Sequence, residues 1–207
     1  TASRAMFPAL AEELKAYSGI YIGLQQKGIY KVAANEGERE ELIAYGEVQR
    51  DRGEVARWME PAELQREEPA VSSQLSGALF LPNDGQVSAP DLSKAFAMSA
   101  VELRAELLEY TDVQGLIKEG NQVTGVRTNR EDISADHVVV ACGAWSEYLL
   151  GKQDSGMDMY PVKGECFSVK TKRRLIQGTL FSKGCYIVPK VGGRLVIGAT
   201  EEPGTFD

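Results

Sequence analysis

The chain has 207 residues, 43% of them hydrophobic and 26% charged, with a net charge of -7. This is ordinary globular composition, long enough to bury a core as one large domain or two small ones. The acidic balance argues against a nucleic-acid or anionic-membrane partner, no apolar run approaches the ~20 residues that span a bilayer, and the opening "TASRAMFPAL" has no signal-peptide core.

In chain order, Phe7, Leu10, Leu14 and Tyr17 recur at helical spacing and Ser18-Gly19 closes the helix. "IYIGL" and "GIYKVA" read as strands, 37–52 as a charged surface helix, and "VARWM" as a strand. "EPAELQREEP" reads as a short helix with Pro61 in its first turn, and "GALFLP" as another strand. In "DGQVSAPDLSKAFAMSAVELRAEL", Ser88 and Asp91 suggest a capping box, and Leu92, Phe96, Ala100 and Leu103 are expected to line one helical face. "ELLEYTDVQGLIKEGNQVTGVRTN" reads as two strands, a turn at Gly120-Asn121 and a third strand. Val138 to Ala141, in "ADHVVVACGAWS", reads as a buried strand that ends on small residues. "YPVKGECFSV" and "GTLF" are strand-like, and "CYIVPKVGGRLVIGAT" is a hairpin about Gly192-Gly193. The basic run Lys170, Lys172, Arg173 and Arg174 reads as a solvated turn.

Most strand connections are too short for parallel crossovers. The fold class is therefore α+β: an antiparallel-sheet domain with flanking helices, interrupted from Pro90 to Ala141 by a stretch of α/β character. The chain is expected to weave between two domains, with boundaries at 1–85, 86–150 and 151–207.

Side-chain chemistry is sparse. Cys142, Cys166 and Cys185 are far apart and odd in number, which argues against a disulfide framework and for a reducing, cytoplasmic setting. The lone histidine, His137, reads as a polar strand-end residue, and no metal site has enough ligands in sight. Met6, Met59, Met98, Met157 and Met159 suggest packing only. Any chemistry must then draw its reactive group from something other than side chains.

"VVVACGAWS", "YPVKGE", "GCYIVPKVGGRLVIGAT" and "DGQVSAP" together resemble the FAD-dependent amine and D-amino-acid oxidase family, most like the bacterial glycine oxidases of thiamine biosynthesis. The resemblance covers essentially the whole chain, with motif order and spacing in agreement. It implies a substrate domain plus part of a Rossmann-like FAD-binding domain. The family's N-terminal GxGxxG unit is not in this sequence, and neither is its C-terminal segment with the substrate-binding arginine, so the chain reads as the middle of a longer enzyme.

The resemblance implies FAD as cofactor and a small amine or amino acid, glycine first, as substrate. Hydride would pass from the substrate Cα to flavin, the imine would hydrolyse to oxo acid and ammonia, and O₂ would take the electrons to form H₂O₂. The family often forms tetramers, which implies a homo-oligomer. By the same resemblance, the backbone of Val113 contacts adenine, and Ala141, Cys142 and Gly143 form the small-residue strand end beside FAD, with Trp145 packed nearby. Tyr186 is the active-site tyrosine that would bond the substrate carboxylate. Lys163 and Glu165 are assigned no catalysis. Glu201 stands where glycine oxidases place an apolar methionine, which implies either a more polar pocket or a side chain turned away. Two alternatives stay open: a sister flavoenzyme such as a sarcosine oxidase or D-amino-acid dehydrogenase, and a non-catalytic binding or assembly module that kept only the sheet.

Overall fold

The computed structural model describes residues 2–151 and 159–204. The fold is α+β, and contacts divide it into two units: 1–105 with 164–200, and 106–163 with 201–207.

The larger unit is built on a seven-stranded sheet. Its strands are β1 (Ile29–Ala33), β2 (Arg57–Met59), β3 (Gly77–Leu81), β8 (Cys166–Lys170), β9 (Thr179–Ser182), β10 (Cys185–Lys190) and β11 (Arg194–Gly198). They lie in the order β2-β3-β1-β9-β10-β11-β8. Every pairing is antiparallel except β1 with β9, so the short-turn argument from sequence holds for this sheet.

Alternation assigns the two faces. Tyr30, Leu180 and Ile187 point to one face, where they join Val32, Met59, Leu64, Ala78, Ile176 and Leu195 in the main core. Helix α3 (Pro61–Glu67) contributes Leu64 to that core. Lys31, Leu79, Phe181 and Tyr186 point to the other face. Helix α2 (Glu36–Asp51) covers that face only at its β1–β3 end, through Leu42 against Leu79 and Leu81. Asn35 caps α2 by accepting from Glu38 N, and Glu38 reaches back to accept from Ala34 N, a reciprocal arrangement the sequence reading did not pick out.

Helix α1 (Ala2–Ser18) packs against α4 (Ala89–Glu102). Two expectations for α4 are corrected. Ser88 is its N-cap, but the side chain makes no capping bond. The buried face is Leu92, Ala95 and Ser99, whereas Phe96 is 48% and Leu103 60% exposed. Small residues win because close approach of two helices needs little side chain at the crossing, and Ala11 answers Ala95 from α1.

"IYIGL" is not a strand. The segment there meets the stretch before α4 through the Gln25–Gln86 bridge and through Ser88 N, which donates to Ile22 O at 2.8 Å, while Ile22 is fully buried among residues of the helices. The run is apolar because of helix contacts, not a ladder.

The smaller unit holds a three-stranded meander of β4 (Val113–Glu119), β5 (Gln122–Thr128) and β6 (Asp132–Ser134). The strand expected just before β4, in "ELLEY", does not form, and β6 forms where none was expected. Strands β7 (Val162–Lys163) and β12 (Glu202–Pro203) make a separate pair. A 3-10 turn, Gly143–Trp145, leads into α5 (Ser146–Leu150), which packs against β4.

The buried strand expected at Val138 to Ala141 is also corrected. No ladder includes it among the described residues, and Val139 is 88% exposed. A strand needs a neighbour for its N–H and C=O groups, and none of the described strands supplies one. His137 is exposed on the same extended segment. Met59 is fully buried, but Met6 and Met98 are exposed, and Met157 lies outside the described residues.

Candidate functional site

A cavity of about 750 Å³ opens in the larger unit on the sheet face that α2 leaves bare. Its floor is the β10–β11–β8 surface, with Tyr186, Val188 and Lys190 from β10, Arg194 and Val196 from β11, and Ser168 from β8. Phe181 closes one side. The start of α4 and the segment at Tyr21 and Gly23 form the opposite rim.

Tyr186 is the best-defined functional side chain. The hairpin register pairs it with Gly198, and the neighbouring ladder pairs Gly198 with Cys166. A Cβ placed at Gly198 would fall 2.7 Å from Tyr186 Cζ and Oη and 2.8 Å from Cys166 Cβ. The ring therefore lies across the bare Cα of Gly198, in space that any other residue would occupy. Phe181 holds the ring from the other side at 5.8 Å between centroids and 50° between planes. The Tyr186 hydroxyl has no hydrogen-bond partner among the described residues. A phenol set on a firm ring support with its hydroxyl free in a cavity is placed to bond a ligand.

The rim is held by a small polar network. Gln25 and Gln86 exchange backbone hydrogen bonds at 2.9 Å each. Their side-chain amides both donate to Pro189 O, at 3.2 and 2.9 Å. Lys190 Nζ donates to Gln86 Oε1 at 2.5 Å and to Val87 O at 2.8 Å. The "DGQVSAP" motif thus ties the start of α4 to the turn end of β10. Burial first, and the Arg194 guanidinium second, hold the Lys190 ammonium below its ordinary range.

Below the sheet, Glu68 is a fully buried carboxylate. It accepts from Gln177 N and Gly178 N at 2.8 Å each and so fixes the loop into β9 that carries Phe181. Desolvation raises its pKa, against the lowering effect of those backbone donors. Tyr30, stacked on Phe80 at 4.5 Å, is pushed up to about 12 by burial and by the nearby Glu68 charge.

The other expected site residues lie in the smaller unit. Val113 opens β4, and a bulge between Val113 and Gly115 takes Gln114 out of the ladder. The start of β4 is pinned because Asp112 N donates to Asn129 Oδ1 and Asn129 N to Asp112 O, both at 2.9 Å. Ala141, Cys142 and Gly143 are exposed and lead into the turn before α5. Gly143 has φ of +56°, with nothing within 4 Å of where a Cβ would stand. Trp145 is 63% exposed. Glu201, also in the smaller unit, is exposed. All three cysteines are free thiols.

These residues suit parts of a flavin site. The open small-residue run at 141–143 admits close approach of a large group. The sequence contributes no glycine-rich turn for a pyrophosphate.

Gly198, Phe181 and Gln86 were not singled out from sequence. One signal could have found Gly198: counting back from the Gly192-Gly193 turn sets it opposite Tyr186.

The family model described as FAD dependent oxidoreductase matches residues 2–207. A glycine oxidase of Geobacillus kaustophilus is 45% identical over 207 residues, covering 99% of this chain and 55% of that protein. The crystal structure of a glycine oxidase from Bacillus cereus superposes with a TM-score of 0.95 at 41% identity, over 100% of this chain and 57% of that one. The bifunctional protein ThiO/ThiG of Trichormus variabilis is 30% identical over 97% of this chain and 30% of its own length. The chain spans about half the length of the glycine oxidases it matches. With a family model that covers it almost end to end, the chain belongs to the FAD dependent oxidoreductase family.

Proposed function

We propose that the whole protein is a flavin-dependent oxidase that deaminates glycine or a small amine or D-amino acid to the imine, and so to an oxo acid and ammonia. On this reading the larger unit is the substrate-domain part and the smaller unit part of the FAD-binding domain. The observation that carries the reading is Tyr186: it lines the cavity, its hydroxyl has no partner among the described residues, and its ring is braced by Phe181 and Gly198. Relatives named glycine oxidase, matched along the chain, support it.

FAD, when bound, supplies the hydride acceptor for the substrate Cα–H bond. The chain's own residues bind and orient. Tyr186 donates its hydroxyl proton to a substrate carboxylate oxygen and fixes the acid end. Phe181, Val188 and Val196 exclude water from the space beside it. Val113 offers backbone to the adenine end, and Ala141, Cys142 and Gly143 offer small side chains where the cofactor passes. We further assign O₂ as the electron acceptor, a role in thiamine biosynthesis, a cytoplasmic setting and a homo-oligomeric enzyme. No helix of the described residues is long and apolar enough to cross a membrane.

The test is direct. The full-length flavoprotein, given glycine in air, is expected to release glyoxylate, ammonia and H₂O₂ in equal amounts. Turnover with an artificial acceptor but no peroxide would make it a dehydrogenase. No reduction of the flavin by any small amine would leave the binding-module reading.

A further inference from the structure

Three cations stand in one row across the cavity face. The hairpin sets Lys190 opposite Arg194, and the next ladder sets Arg194 opposite Lys170. Cross-strand partners share a face, and like charges directly opposite one another cost stability. Among the described residues, none of the three forms an ion pair that would offset that cost. Lys190 spends its hydrogen bonds on the neutral acceptors Gln86 Oε1 and Val87 O. Lys190 and Arg194 line the same cavity as Tyr186, where Asp91 is the single acid among the lining residues. Between the tyrosine and the row lies an apolar rung, Val188 opposite Val196.

Lys190 is four residues beyond Tyr186 on β10, about 13 Å of strand. Glycine is far too short to feel both ends. A ligand that uses both carries an acid group at Tyr186, a short apolar spacer over Val188 and Val196, and a second anion at the row.

We propose that Lys190 and Arg194, extended by Lys170, form the site for a second carboxylate on the amine substrate. The substrate class is then an N-substituted glycine whose substituent ends in a carboxylate. This rests on the reading of Tyr186 as the group that holds the first carboxylate. Lys190 is half-buried and Arg194 exposed beside it, so an anion that reaches the row meets two cations at once, one of them in a partly dry setting where the attraction is stronger than in water.

The experiment compares N-(carboxyalkyl)glycines of increasing chain length with N-alkylglycines of matched length, using the full-length flavoprotein. The ratio of kcat/KM, diacid to monoacid, is expected to exceed one, to peak at one spacer length, and to fall with added salt. It should drop about tenfold in Arg194→Gln and in Lys190→Gln. Lys170→Gln, at the exposed end of the row, should lower it less and serves if either of the other variants fails to fold. A ratio of one or below, or a ratio unchanged in all three variants, overturns the proposal. Where no glycine derivative is oxidised at all, the oxidase reading fails by itself, and calorimetric titration of the diacid decides the site. Binding that weakens in Arg194→Gln upholds the site, and no binding overturns it.

Discussion

The Tyr186 ring lies over the bare Cα of Gly198, its partner across the β10–β11 hairpin, so closely that a methyl group there would sit 2.7 Å from the phenol oxygen. The orientation of the tyrosine is therefore written into a neighbour with no side chain. Gly198→Ala should push the ring off the sheet. In the full-length enzyme the expected outcome is a KM for glycine raised roughly tenfold, worth about 1.4 kcal/mol, with a smaller change in kcat. Steady-state kinetics checks it, and an unchanged KM would show that the ring has other room.

Tyr186→Phe removes only the hydroxyl and leaves the contacts with Phe181 and Gly198 in place. The loss of one hydrogen bond to a charged carboxylate should weaken glycine binding by about 1–2 kcal/mol. Titration of the flavin spectrum with a non-reacting carboxylate reads the effect directly. Equal affinity in the two proteins would return Tyr186 to plain packing.

Glu68 makes stability depend on pH. Burial raises its carboxyl pKa in the folded state above the ordinary value of 4.5. Its contribution is thus fully present below the unfolded value and is lost as pH rises through the folded one. Glu68→Gln cannot titrate and keeps an acceptor for Gln177 N and Gly178 N. Its Tm relative to the parent is expected to climb across that window and then level off. Glu68→Ala leaves Gln177 N and Gly178 N without their acceptor and should cost about 2–3 kcal/mol at acid pH, and less as pH rises and the parent loses the Glu68 contribution. Thermal melts of the three proteins from acid to neutral pH check both.

Gln86→Ala removes the bond to Pro189 O and the acceptor for Lys190. The expected loss is about 1–3 kcal/mol, felt first as local opening of the segment at 84–88 before α4. Amide exchange should rise there while β10 stays protected. Uniform loss of protection would mean that Gln86 supports the whole unit.

Gly143→Val meets no steric neighbour, because nothing lies within 4 Å of the Cβ position. The strain is in the backbone, since φ of +56° is costly for a β-branched residue. On the proposed reading, which sets Ala141, Cys142 and Gly143 where the cofactor passes, this variant should retain less flavin after purification while the protein still folds. A flavin-to-protein absorbance ratio together with circular dichroism separates the two. Poor folding with full flavin occupancy would contradict the assignment.

Much of this could be read from one dimension. Period-two runs located the hairpin at Gly192-Gly193, β1, β3 and β9, and helical spacing located α1, α2 and α4. Motif order pointed to the family and to Tyr186. The failures share a cause: each depended on a partner elsewhere in the chain. "IYIGL" is apolar because α1 and α4 bury Ile22. Phe96 and Leu103 have helical spacing, yet the crossing with α1 selects the smaller Ala95 and Ser99. Val138 to Ala141 has strand-like composition, yet no described strand pairs with it.

What the sequence by itself determined is whatever local backbone preference and alternation decide: element type, turn position and which side chains share a sheet face. Only the tertiary structure decided what stands on that face. Ladder register set Gly198 beneath Tyr186 and lined up Lys190, Arg194 and Lys170 across three strands. The Gln86 network then set the start of α4 over the cavity. Hydrogen bonds and close contacts between residues distant in the chain carry no fixed spacing, so their chemistry appears only once the strands are paired.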